Sequence, residues 1–185
     1  MQSYCRKVLP DGTVSTYAGT TIAPTNNPWE QQNTQRYRDG PAASALFSTL
    51  TGITCDADGN VYVADADNSY IRKISPTGMV STLAGSGTRG FADGPGLSAS
   101  FYGPASLAAG SNATIFVQDQ GGMAIRKITS DGLVSTIAGR SLNYGRRLQM
   151  MDSSSSAPYG TVLLFTSPAI DSRTGDIYFI RKDDS

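Results

Sequence analysis

Histidine is absent from the 185 residues. Its absence excludes a Ser–His triad, a His-bound zinc site and imidazole acid–base chemistry. Cysteine occurs only as Cys5 and Cys55, too few for a Cys-only zinc site or a disulfide-dense scaffold. Charged residues make up 16% of the chain, against roughly 25% in an average soluble protein. The 15 Lys and Arg balance the 15 Asp and Glu. Zero net charge argues against a strongly basic nucleic-acid binder and against an acidic tail. No apolar run approaches the roughly 20 residues of a membrane helix, so no membrane insertion is expected. Residues 1–7 lack the apolar stretch of a signal peptide. There is no G-x-S-x-G, no Gly-rich phosphate loop with Lys, and no pair of carboxylates at an interpretable spacing. No catalytic residue, cofactor site or metal site is assigned, and a non-enzymatic role is expected. What is plentiful is 20 Gly, 22 Ser and 18 Thr, a composition of short strands and turns rather than long helices.

The chain repeats itself. Cys5-Arg6-Lys7-Val8 followed by Val14-Ser15-Thr16-Tyr17-Ala18-Gly19 recurs as Ile71-Arg72-Lys73-Ile74 with Val80-Ser81-Thr82-Leu83-Ala84-Gly85. It recurs again as Ile125-Arg126-Lys127-Ile128 with Val134-Ser135-Thr136-Ile137-Ala138-Gly139. The interval from Gly85 to Gly139 sets the period. The interval from Gly19 to Gly85 is longer, and the excess lies in one place, between Gly19 and Asp39. From Asp39-Gly40-Pro41 to Phe47 the chain aligns without a gap to Asp93-Gly94-Pro95 to Phe101. Each unit reads as four strands: a near residues 50–55, b at 60–64, c at 70–74 and d at 79–83, with Asp58-Gly59, Asp67-Asn68 and Pro76-Thr77-Gly78 as the turns. Four short strands per repeat predict an all-β protein of antiparallel β-propeller blades.

The organisation follows from the alignment. Residues 1–19 carry strands c and d of one blade, 39–85 a second unit and 93–139 a third. Residues 160–185 carry strands a and b of a final or closing blade, with Leu164-Phe165 matching Leu46-Phe47. Residues 20–38 and 140–159 are long inserted loops. A start at c and a stop after b suits a ring closed from both chain ends, since closure removes exposed strand edges. A segment of a larger propeller of about six blades is expected first. A head-to-tail homodimer completing a six-bladed ring comes next.

These residues resemble the NHL repeat. The resemblance rests on Gly87-Thr88-Arg89-Gly90-Phe91-Ala92-Asp93-Gly94-Pro95-Gly96 with Phe101, Ile125-Arg126-Lys127-Ile128 and residues 134–139. It rests equally on Asp58-Gly59-Asn60-Val61-Tyr62-Val63-Ala64-Asp65 with Asn68 and residues 71–74. It implies a propeller used as a binding platform, with protein partners or the remaining blades as what it binds. Some NHL propellers bind RNA, and the connections here hold Arg36, Arg38, Arg89, Arg140, Arg146 and Arg147, so an RNA-binding face is the alternative. A lyase- or hydrolase-like enzyme is a second alternative only if missing blades supply the site. The resemblance also implies an acid at the end of strand b, here Asp65 and Asp119. Paired with Arg72 and Arg126 of strand c, these acids read as structural ties rather than as a ligand site. In the last unit that position is Arg181, so the last blade is expected to be the least regular. Should Arg6 meet Arg181, Asp183 or Asp184 must compensate.

Other candidates are weighed on their residues. Asp56, Asp58 and Asn60 miss the calcium-loop spacing because Gly59 falls too early, and a hairpin turn explains them. Cys5 takes the place of Ile71 and Ile125, so a buried thiol is expected. A disulfide to Cys55 would need Cα atoms within roughly 7 Å. Asn112-Ala113-Thr114 fits a glycosylation acceptor on the a–b turn. With only four lysines, it tilts the reading toward a secreted or cell-surface location. Binding residues concentrate on long loops carried by rigid scaffolds. The candidate interaction residues are therefore Trp29, Arg36, Tyr37, Arg38, Arg89, Tyr144, Arg146 and Arg147, with the aromatic and Arg content of interface hot spots.

Overall fold

A computed structural model of the chain describes residues 3–20 and 37–139, together with the backbone of four two-residue strands between 164 and 182. β1 (Cys5–Val8) and β2 (Val14–Ala18) form a two-stranded antiparallel ribbon. β3 (Gly40–Pro41), β4 (Leu50–Cys55), β5 (Val61–Asp65), β6 (Tyr70–Ile74) and β7 (Met79–Ala84) form one sheet in the order β3-β7-β6-β5-β4. β8 (Pro104–Ala109), β9 (Ile115–Asp119), β10 (Ala124–Ile128) and β11 (Val134–Gly139) form the next, in the order β11-β10-β9-β8. β12 (Leu164–Phe165) pairs with β15 (Arg181–Lys182), and β13 (Ala169–Ile170) pairs with β14 (Ile177–Tyr178). Among the described residues the chain is all-β, built of four-stranded antiparallel propeller blades, as the repeat predicts. The β4–β7 sheet is called the first blade below, the β8–β11 sheet the second, and β1–β2 the half-blade.

The repeat is reproduced down to its irregularities. Strand c pairs with strand d across a bulge at the same place in each sheet: Cys5/Arg6, Ile71/Arg72 and Ile125/Arg126. The Gly that closes strand d has a positive φ each time, +106° at Gly19, +109° at Gly85 and +93° at Gly139. A Cβ there would lie 2.2 Å from the carbonyl oxygen of Ser69 or of Met123 in the two full blades. Both the backbone angle and the close approach demand Gly, which explains the recurring Ala-Gly.

Cores form between sheets rather than within them. One cluster joins Cys5 and Ala18 of the half-blade to Ala45, Phe47, Val63, Ile74 and Val80 of the first blade. Another joins Tyr62, Ala64, Ile71 and Ala84 to Phe101, Leu107, Ile115, Val117, Ile128 and Val134. Cys5 is buried as a free thiol, and Cys55 is free and exposed. Burial, and next the Cys55 thiol, push the Cys5 thiol up. The innermost strands β4 and β8 touch directly. The Thr51 hydroxyl donates to Pro104 O at 3.0 Å, and the Ala109 amide donates to the Thr54 hydroxyl at 3.1 Å.

Candidate functional site

Each full blade is locked by one arginine of strand c. Arg72 is fully buried and all its guanidinium nitrogens are engaged. Its Nε donates to Asp39 at 3.2 Å. Nη1 donates to Leu46 O at 3.1 Å and to Asp65 at 3.2 Å. Nη2 donates to Arg38 O at 3.0 Å and to Asp39 at 2.6 Å. The guanidinium lies 5.0 Å from the Phe47 ring centroid and 5.7 Å from that of Tyr37. Every partner recurs one repeat further along the chain. Arg126 bonds Asp93, Ser100 O, Asp119 and Ala92 O, between the rings of Phe91 at 4.4 Å and Phe101 at 5.2 Å. A buried cation is tolerable only when fully hydrogen-bonded and paired, and here both conditions hold.

The Arg–Asp ties between strands b and c are thus present, with a second acid that the sequence reading did not assign. Asp39 also accepts from the Thr82 amide at 2.9 Å and from the Thr82 hydroxyl, and Asp93 does the same with Thr136. One carboxylate therefore clamps the d–a connection to both strands c and d. The signal was available. Asp39 precedes Arg72 by the same interval as Asp93 precedes Arg126, and Thr82 and Thr136 follow their arginines in step.

Burial pushes the carboxyls of Asp65 and Asp119 up. Hydrogen bonds (led by Asn68 at Asp65 and by the Gly103 amide at Asp119) and the guanidiniums pull the other way. At Asp56 burial also pushes upward, but donation from Asn60 and Tyr62 outweighs it and holds the carboxyl below its ordinary value. These bonds make residues 56–60 a hairpin turn, as expected. A carboxyl-carbon NMR titration should therefore show Asp65 and Asp119 titrating above 3.8 and Asp56 below it. The reverse order would contradict the network. What Asp65 and Asp119 contribute is full below the unfolded pKa and fades as pH rises through the raised values. What Asp56 contributes is present above the unfolded pKa and is lost as pH falls through the lowered one.

The arginine locks fix one surface, formed where the d–a connections meet the b–c turns. The Tyr37 ring packs against that of Tyr70, tilted by 60°, with ring centroids 4.6 Å apart. Burial, and next the bond with Tyr37, push the Tyr70 hydroxyl up to about 12. Arg89 reaches Asp67 of the neighbouring blade at 3.8 Å, and both side chains are exposed. Tyr102 is 46% exposed beside Gly121, where a Cβ would touch its ring. The exposed Arg38 folds back onto Ser44 O. Of the candidate interaction residues, Tyr37, Arg38 and Arg89 share this surface. Trp29, Arg36, Tyr144, Arg146 and Arg147 lie outside the described residues. Tyr102 and Asp67 belong to the surface but were not singled out. Asn112 is exposed on the opposite side, on the turn between β8 and β9, with φ +54°.

No family model matches the chain. Over 113 residues it is 35% identical to protein SUPPRESSOR OF QUENCHING 1, chloroplastic, of Arabidopsis thaliana, covering 60% of this chain and 11% of that protein. Among solved structures, a structural genomics protein of unknown function from Bacteroides thetaiotaomicron is 30% identical with a TM-score of 0.56. The match covers 68% of this chain and 29% of that one. An auxiliary nutrient binding protein from the same organism is 20% identical with a TM-score of 0.52, over 71% of this chain and 31% of that one. That last likeness is one of fold alone. The chain spans about a tenth of the curated relative and under a third of either solved structure.

Proposed function

We propose that this chain is a non-enzymatic, NHL-type propeller platform that binds a protein partner through the surface of d–a connections and b–c turns. The observation that carries the reading is the division of labour among its charges. Arg72, Arg126, Asp65 and Asp119 are fully buried in structural networks, while Tyr102, Arg89 and Asp67 are presented outward from rigid blades. A rigid scaffold offering Tyr and Arg with mixed charge has the chemistry of a protein-binding surface. RNA recognition through phosphates would call for cations in excess, and Arg89 already faces Asp67.

The test places a photo-crosslinking residue at Tyr102, and in a second variant at Met79, which is exposed at the start of β7, beside the c–d turn at the opposite end of the blade. A specific protein adduct from position 102 that is absent from position 79 is expected. Adducts from 79 alone would overturn the reading. Single-stranded RNA binding, measured by anisotropy at about 50 and about 200 mM salt, should be negligible. Binding that falls steeply with salt would favour the RNA alternative instead.

A further inference from the structure

The two full blades agree in their arginine networks and differ at the b–c end, and there the differences fit one another. Asp67 and Asn68 of the first blade's b–c turn become Gly121 and Gly122 in the second, and Ser48 and Thr49 become Tyr102 and Gly103. Neither Gly121 nor Gly122 has a positive φ, so the backbone angle does not call for glycine. The neighbours do. A Cβ at Gly121 would lie 2.4 Å from Cδ1 of Tyr102 and 3.0 Å from its carbonyl oxygen. A Cβ at Gly122 would lie 2.4 Å from Cδ2 of Phe91 and 3.1 Å from a carboxylate oxygen of Asp119. Bare backbone here makes room for two rings. The inner ring, Phe91, covers the Arg126 guanidinium at 4.4 Å. The outer ring, Tyr102, is 46% exposed, so burial is not its purpose. The d–a connection brings a cation to the same corner. The Gly90 amide donates to Phe101 O at 3.2 Å, which holds Arg89 and Phe91 beside Tyr102.

Arg89 meets Asp67 at 3.8 Å, beyond hydrogen-bond distance, and its side chain is 62% exposed. Among the described residues its guanidinium makes no hydrogen bond, so the planar fork is open to a ligand. Asp67 is less open, because its other oxygen accepts from the Thr49 and Ser48 hydroxyls. The unmatched charge of this corner is therefore positive. We propose that the corner binds a short acidic segment of the protein partner, with one carboxylate seated on the Arg89 fork and an adjacent apolar side chain laid on the Tyr102 ring. The proposal rests on the platform reading and names the chemistry that the platform selects. One open guanidinium suits a single carboxylate, whereas an RNA backbone calls for several cations. Asp67 sharpens the choice by repelling a second acid placed beside the first. A rigid aromatic ring next to an open Arg also has the make-up of an interface hot spot.

The probe is a set of short labelled peptides in a Gly/Ser background. Each carries Leu, Phe or Pro next to Asp, Asn or Lys, in either order. Binding to the full chain is measured by anisotropy up to about millimolar concentration. Asp peptides should bind about three- to tenfold more tightly than their Asn counterparts, with the Lys peptides weakest. Arg89→Gln should abolish the preference for Asp over Asn while leaving the melting temperature unchanged, since the side chain is exposed and bonds nothing structural. Tyr102→Ala should weaken Asp and Asn peptides alike and leave the preference in place. Three results would each overturn the proposal: equal binding of Asp and Asn peptides, a preference that survives Arg89→Gln, or no peptide bound at about millimolar concentration. The crosslink at position 102 separates this outcome from failure of the platform. A specific protein adduct there, together with any of the three results, sinks the acidic segment alone, whereas adducts from position 79 alone sink the platform and this proposal with it.

Discussion

Replacing Arg126 by Met should destabilise the chain by roughly 3–5 kcal/mol, the cost of removing one member of a buried charge network. Met approximates the aliphatic stem, so the void is small and the loss is electrostatic. Asp119, which has no exposed side-chain surface, would keep, among the described residues, the two amide donors Tyr102 N and Gly103 N. Ser100 O and Ala92 O would each lose a donor, and Asp93 would no longer bridge strands c and d. Urea unfolding of the variant against the parent measures the effect. A lysine cannot substitute: three donors on a point charge do not reach acceptors arranged around a planar fork, so Arg126→Lys should fall well short of the parent.

The pH dependence of that variant tests the mechanism further. Burial already raises the Asp119 carboxyl in the parent. Removing the guanidinium, one of the groups that holds it down, must raise it more. The variant's deficit should therefore shrink as pH is lowered, because protonation neutralises an acid that no longer has a cation. A deficit that is constant with pH would show that Arg126 acts through packing against Phe91 and Phe101 instead.

Residue types recurring at a fixed period made the blades legible in the sequence. The strands at 70–74 and 124–128, the Gly at the end of strand d and the Arg–Asp tie between b and c all follow from side chains that recur in register. The second acid of each network was equally encoded, as Asp39 and Asp93, but its meaning is non-local. It acts on Arg and Thr side chains of distant strands, and no neighbour in sequence announces that. The outward face was only partly legible for a related reason. Tyr102 stands where Ser48 stands in the previous unit, so a reading built on repetition discounts it. A residue that breaks the repeat on a surface is where individual function is written, and the repeat pattern is blind to it.

The contact between the two inner strands is another feature that repetition hides, and it carries the second large effect. Gly52 borders a bulge in β4 but has no positive φ, so Ala there should on propensity alone stabilise by about 0.5–1 kcal/mol. The structure reverses the sign. A Cβ at Gly52 would sit 2.3 Å from Ala105 O and 2.9 Å from Ser106 Cα. Both are backbone atoms of β8 and cannot rotate away. Gly52→Ala must therefore separate β4 from β8, and with them the Thr51–Pro104 and Thr54–Ala109 hydrogen bonds and part of the apolar cluster around Leu107. A loss of about 1–3 kcal/mol is expected, seen as a lower melting temperature with faster amide exchange concentrated in β4 and β8. Gly103→Ala is the control, since the nearest atom to a Cβ there lies at 3.5 Å, and it should change stability little. The equivalent of Gly52 in the second blade is Ser106, so the close approach belongs to this junction and not to the repeat. Equal effects of the two substitutions would mean that the blades do not meet at β4 and β8 as described.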